Sequence, residues 1–232
     1  MNLKQLEDEL RASRQHARRL EQEIKDLEDS SIRVHHHIPL PRTGIDYAFP
    51  PHPPVNKLKS AGISFVCRYL TGQDKSLTVQ EARALSENGI DIVALYESTG
   101  KTFEGGYNAG VEDAHKAIHA LDSLKPKGNP PVIFTCDADV AGEGRTEEAL
   151  EYIRGAVHTI GWFRVGMYAG FAPVMAAHAA NRCKFYFQTY AWSNGKWSPH
   201  AQLRQVHNGI HIFGADCDLD KAVAPDFGQF RV

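Results

Sequence analysis

The segment VIFTCDADV, residues 132–140, carries an apolar run straight into two carboxylates, Asp137 and Asp139. In an extended chain, positions i and i+2 share a face. Two carboxylates held close together cannot both ionise freely, so one keeps a proton near neutral pH and can act as an acid. The same spacing also suits an oxygen-ligand site for Mg or Ca, or a plain polar strand end, and D-x-D alone does not choose among these. Glu97 in IVALYESTG and Asp46 in TGIDYAF follow apolar runs in the same manner. Arg68 stands inside FVCRYL, an otherwise apolar stretch. A charge there needs a partner, and Asp46 or Glu97 is the natural one.

For such residues to meet, the chain between them must bring several strand ends together. The pattern over 43–232 alternates strand and helix. Strands are expected at Ile45–Phe49, Ser64–Leu70, Asp91–Tyr96, Pro131–Cys136, Arg164–Tyr168 and Lys184–Ala191. Between them fall helices at Val55–Ala61, Thr78–Asn88, Ala109–Leu124, Thr146–Ile160 and Pro173–Asn181, with Thr78 and Glu81 forming an S/T-x-x-E capping box. Short strands at Leu203–Val206 and Gly214–Asp218 complete the tail. This order makes an α/β fold with parallel strands. No G-x-G-x-x-G follows the first strand, which removes the main support for an open dinucleotide-binding sheet. The expectation is a compact, irregular (β/α) TIM-like barrel. Its 190 residues fall short of the usual ~250, so some helices must be short or missing.

A parallel barrel gathers the C-terminal ends of its strands on one face, and functional side chains come from there. Asp139, Asp137, Asp46 and Glu97 are the candidate catalytic residues, and Arg68, Tyr168, Trp192, Gln205, Asp216 and Asp218 the candidate substrate contacts. Converging acids transfer protons and stabilise an oxocarbenium-like transition state, while aromatic faces carry pyranose rings.

Residues 1–31 differ from the rest. Leu3, Leu6, Leu10, Ser13, Ala17, Leu20, Ile24 and Leu27 alternate spacings of three and four, the a/d seam of an α-helical coiled coil that joins two or three copies. Residues 32–42, with Pro39 and Pro41, read as a linker. Its His35–His37 run could surround an ion if three chains meet there, although adjacent histidines in an extended segment are more often solvated or packed singly; no metal and no cofactor are expected. A formal charge of −2 gives no field to recruit nucleic acid, and no stretch reaches the ~20 apolar residues of a membrane span. The four cysteines are far apart and read as buried free thiols. The charged N-terminus shows no secretory signal, so the expectation is synthesis in the cytoplasm.

Taken in order, G-I-D-Y (44–47), F-V-x-R-Y (65–69), Y-E-S (96–98), A-G-V-E-D-A (109–114), I-F-T-C-D-A-D (133–139), G-M-Y-A-G (166–170), Q-T-Y-A-W (188–192), L-R-Q-V (203–206) and D-C-D-L-D (216–220) form a recognisable set. It resembles the glycoside-hydrolase-like TIM-barrel domain of unknown function from actinobacterial secreted proteins and their phages, which is related to the family 25 muramidases. The resemblance implies a peptidoglycan-type glycan as ligand. It matches Asp46 to the first-strand Asp of the muramidases, Asp137 to the first acid of their D-x-E, and Asp216 or Asp218 to their last-strand Asp. Asp139 falls where the catalytic Glu stands, one methylene shorter. Three readings follow: a cell-wall glycosidase with Asp139 as general acid, a glycan-binding module that does not cut, and a structural part of an oligomeric phage tail or cell-surface assembly with other virion proteins as neighbours.

Overall fold

Short runs rich in branched and aromatic residues, bounded by glycine, proline and polar positions, become eight strands in the computed structural model. They are β1 (Arg42–Asp46), β2 (Phe65–Tyr69), β3 (Asp91–Tyr96), β4 (Val132–Thr135), β5 (Val165–Ala169), β6 (Phe185–Thr189), β7 (Leu203–Ile212) and β8 (Ala215–Ala222). The structure describes residues 39–72, 74–140 and 143–232. The expected coiled coil over 1–31 and the histidines at 35–37 lie outside the described residues.

The strands pair in chain order and close into a barrel, β8 returning to β1. Strands β1 to β7 run parallel, whereas β8 is antiparallel to both β7 and β1. The expected (β/α) barrel is therefore a mixed one, with a hairpin in place of a final crossover helix. The turn residues explain it. Phe213 and Gly214 both have positive φ, 50° and 85°, and link Ile212 to Ala215. That is the two-residue geometry whose twist suits a hairpin. Gly214, expected to open a strand, is needed in the turn instead.

Helices α1 (Val55–Leu58), α2 (Val79–Glu87), α3 (Gly106–Ser123), α4 (Glu143–Ile160) and α5 (Phe171–Ala179) pack outside the strands. The Thr78 hydroxyl accepts the Glu81 backbone N–H at 3.1 Å, as the capping box requires. Outward side chains such as Val66, Ile92, Phe134 and Met167 pack with Leu85, Ala117 and Ile153 of the helices. A second apolar layer fills the barrel: Phe65, Cys67, Leu95, Ile133, Phe187 and Leu203. Gly44 is required for it, because a Cβ there would lie 2.3 Å from the Phe65 ring. At the N-terminal end of the strands, Arg42 pairs with Asp91 at 2.6 Å and lies over the Phe227 ring. The barrel is thus filled by apolar side chains and capped below by this ion pair, and the polar residues open to a ligand lie at the other end. All four cysteines are free and buried.

Candidate active site

The alternation of β2 decides which of its residues reach the centre. Phe65, Cys67 and Tyr69 point inward, so Arg68 points outward, and it is fully buried there. Its guanidinium forks onto Glu81 of α2 at 2.8 and 3.1 Å, and its Nη1 donates to the carbonyls of Tyr47 and Lys75. The Tyr47 hydroxyl donates to the same Glu81 carboxylate at 2.8 Å. Arg68 therefore pairs with neither Asp46 nor Glu97. It anchors the loop after β1 to α2 from behind the site.

Inside the mouth, Asp46 (β1), Gln205 (β7) and Asp218 (β8) meet. Gln205 Nε2 donates to Asp46 Oδ2 at 2.8 Å and to Asp218 Oδ2 at 3.1 Å. Its Oε1 accepts the hydroxyls of Tyr168 (β5) and Thr189 (β6), each at 2.8 Å. Asp218 Oδ1 takes the backbone N–H of Gly209 at 2.8 Å. Glu97, just past β3, pairs with Lys75 at 2.6 Å and receives the Thr135 hydroxyl at 3.3 Å. Asp137, just past β4, completes the ring. Asp46, Glu97, Asp137 and Asp218 together line a cavity of about 90 Å³.

From it a groove of about 240 Å³ runs beneath the β7–β8 hairpin, past Phe49, Pro51 and Asp216. Another, of about 320 Å³, continues past Glu97 to Thr71, Asp74 and Lys75. Together these spaces reach the size of small-molecule sites. Among the described residues no three His, Cys, Asp or Glu side chains are placed to hold a metal ion.

The carboxylates repel one another in a poorly hydrated place. Burial first, and the charge of Asp218 second, push Asp46 up to about 7, while the Gln205 hydrogen bond pulls it back in part. Asp137 keeps an exposed edge, yet enclosing protein and the Glu97 charge raise it, with Lys75 opposing. Asp218 is raised by burial and held back by the Gly209 N–H.

The remaining predicted residues do not line the acid cavity. β4 ends at Thr135, and the chain turns at Asp137, where the Ala138 N–H bonds back to the Cys136 carbonyl at 3.0 Å. The i, i+2 rule fails outside a strand, so Asp139 is exposed and does not line the cavity. Asp216 is exposed on the hairpin and paired with His211 at 2.6 Å. Trp192 and Tyr190, after β6, are exposed on a loop held by the buried Ser193 hydroxyl, which accepts the Phe171 N–H at 2.9 Å. Trp192 itself sits at φ 55° and does not line the acid cavity.

Three participants escape the sequence reading: Glu81, Thr189 and Asp220. Asp220 is fully buried, and neither of its oxygens has a nitrogen or oxygen donor, although Cys67 lies alongside. Burial, then Asp46, hold it well above the usual carboxylate range. The alternation Asp216, Asp218, Asp220 pointed to it, but only if the strand continues past 218.

A closed barrel whose strand ends deliver carboxylates, tyrosines and an amide to one small cavity defines a glycoside hydrolase-like protein. Residues 56–222 match the family described as the Rv2525c-like, glycoside hydrolase-like domain, and the chain belongs to that family. It is similar to Rv2525c of Mycobacterium tuberculosis, a candidate peptidoglycan hydrolase, at 27% identity over 76% of this chain and 79% of that protein. The crystal structure of that Tat-secreted protein with L-tartrate superposes with a TM-score of 0.75 at 27% identity, covering 81% of this chain and 98% of that one. The modular autolysin LytC of Streptococcus pneumoniae, solved with a synthetic peptidoglycan ligand, shares the fold at a TM-score of 0.56 and 11% identity, over 78% of this chain and 46% of that one.

Proposed function

We propose that the domain acts on bacterial cell-wall glycan as a glycosidase, with Asp46 as the acid and Asp218 as its ionised partner. The observation that carries this is the Gln205 amide, hydrogen-bonded to both carboxyls. The fork of one NH₂ group puts two such acceptors about 5 Å apart, the separation of the paired acids in retaining glycosidases. Their surroundings differ. Asp218 accepts a second N–H, from Gly209, which favours its charged form. Asp46 is nearly enclosed and keeps its proton up to about pH 7. Environments that separate two carboxyls in this way assign the acid and the ionised nucleophile.

In the first step the Asp46 proton passes to the glycosidic oxygen as that oxygen's bond to the anomeric carbon breaks, and the Asp218 carboxylate bonds to that carbon. In the second, water gives a proton to Asp46 and displaces Asp218. Asp137 and Glu97 place further negative charge beside the cationic transition state. The resemblance to a candidate peptidoglycan hydrolase supports the cell wall as the source of the glycan. In its finer form the proposal puts several copies on a virion, joined through residues 1–31, a joining supported by their heptad spacing.

One observation favours a second reading, glycan binding without cleavage: Asp139, at the position of the muramidase Glu, stands outside the cavity. Incubation with purified actinobacterial peptidoglycan separates the two. A glycosidase releases new reducing ends, Asp46→Asn slows release by about 10²–10⁴-fold, and Asp139→Asn stays near wild type. If wild type releases nothing while retaining glycan affinity, the domain is a binder.

A further inference from the structure

The acids at the mouth are held by a neutral group whose orientation is fixed from the far side. Gln205 is buried, and its Oε1 is already the acceptor for two hydroxyls, Tyr168 from β5 and Thr189 from β6. The Thr189 oxygen also takes the Ala191 N–H at 3.2 Å. Turned over, the amide would set Oε1 against the ionised Asp218 carboxylate, acceptor against acceptor, so both its N–H bonds turn toward the two carboxyls. They do so at 2.8 and 3.1 Å, to oxygens of two different strands.

We infer that Gln205 is a positioning residue: locked by Tyr168 and Thr189, it clamps Asp46 and Asp218 into one unit and sets the pH at which that unit takes up its proton. This rests on the same two acids as the proposed function, and it departs from a direct role for Gln205 in gripping the glycan.

The groups that face Asp46 define what the clamp works against. Cys67 and Tyr69 approach from β2, Glu97 from beyond β3, Asp137 from beyond β4, Tyr168 from β5, and Cys217, Asp218 and Asp220 from β8. Lys75 reaches Glu97 rather than Asp46. The direct donor that favours the charged form of Asp46 is the Gln205 amide. Removing it should therefore make Asp46 hold its proton more strongly. A purely structural role would not move that titration.

The test is direct. The side-chain carboxyl carbons of Asp46 and Asp218 are followed by ¹³C NMR from pH 3 to 9 in the full chain without glycan. In wild type the two curves are coupled, each inflecting at the other's midpoint. In Gln205→Leu the Asp46 midpoint rises by about one pH unit and the coupling weakens. A Tyr168→Phe, Thr189→Val double variant keeps Gln205 but frees the amide to rotate, and it shifts Asp46 in the same direction. Should Gln205→Leu fail to fold, the double variant decides alone. A midpoint within about 0.3 unit of wild type in a folded variant overturns the inference. Because no glycan is present, the outcomes separate. A shifted midpoint in a protein that releases no reducing ends keeps the clamp and rejects the glycosidase. An active protein with an unshifted midpoint does the reverse.

Discussion

Arg68 shows how much one strand's parity controls. Two inward neighbours, Cys67 and Tyr69, line the barrel interior, and the guanidinium between them must look for its carboxylate on the helix side. It finds Glu81, whose carboxyl the pairing holds below its ordinary value despite its burial. The pair also receives the Tyr47 hydroxyl, and the Tyr47 ring lies 4.4 Å from the guanidinium carbon. Replacing Arg68 by Met keeps the stem and removes the charge. Glu81 is then left, in a largely enclosed place, with the Tyr47 hydroxyl and with His52 at 3.7 Å, at a cost of about 3–5 kcal/mol. Urea unfolding of Arg68→Met measures this, and a loss below about 1 kcal/mol would mean that Glu81 finds water instead. The shape of the mouth should loosen as well, because the Tyr47 carbonyl loses its Arg68 donor one residue past Asp46.

Between residue and element lies the reason some of the site was legible and some was not. Runs such as DIVALY and VIFT announce strands by composition, and the acids that follow them fall at the mouth because parallel strands all end there. That logic places Asp46, Glu97 and Asp137 without any coordinates, whereas Asp218 reaches the mouth for another reason: antiparallel β8 begins there and sets Asp218 opposite Asp46. It fails for Asp139, because the alternation stops when the strand does, two residues before Asp137. It fails for Asp220 for the opposite reason, since β8 runs on to Ala222. Pairing partners are less readable still: the turn chemistry of Phe213–Gly214, and not any strand pattern, reverses β8. The β7–β8 ladder then shifts register twice, between Gln205 and His207 and between His207 and Ile210, which brings the Gly209 N–H onto Asp218. Bulges commonly re-aim backbone beside active sites. The heptad element at 1–31 remains a sequence inference, and it makes a separate prediction. If its Leu20, Ile24 and Leu27 seam joins copies, deleting residues 1–31 lowers the solution mass to that of one chain. Analytical ultracentrifugation checks this, and a deletion protein that keeps the full-length assembly refutes the joining.

At the scale of the molecule, gathering carboxyls at one end of a barrel makes folding depend on pH in a direction opposite to that of ordinary salt-bridged acids. Asp46 rises from 3.8 to about 7 on folding, so the native state binds its proton more tightly than the unfolded chain does. The corresponding stability is complete below pH ~4 and disappears as pH climbs through ~7, amounting to about 4 kcal/mol for a shift of three units. Asp137, Asp218 and Asp220 are raised as well and add in the same sense. Glu81 works the other way: its carboxyl is lowered by Arg68, and its contribution is lost on acidification. The two trends place the optimum on the acid side of neutrality, near pH 5, where Glu81 is still ionised and Asp46 still protonated. Thermal melts between pH 4 and 8.5 should therefore peak near pH 5 and fall toward pH 8. In Asp46→Asn, which is neutral at every pH, the fall above pH 5 should shrink and the variant should outlast wild type at pH 8. A wild-type melting temperature that rises from pH 5 to pH 8, or an Asp46→Asn profile parallel to it, would show that the acids at the mouth are hydrated well enough to ionise independently. The division of labour between Asp46 and Asp218 would then lose its physical basis.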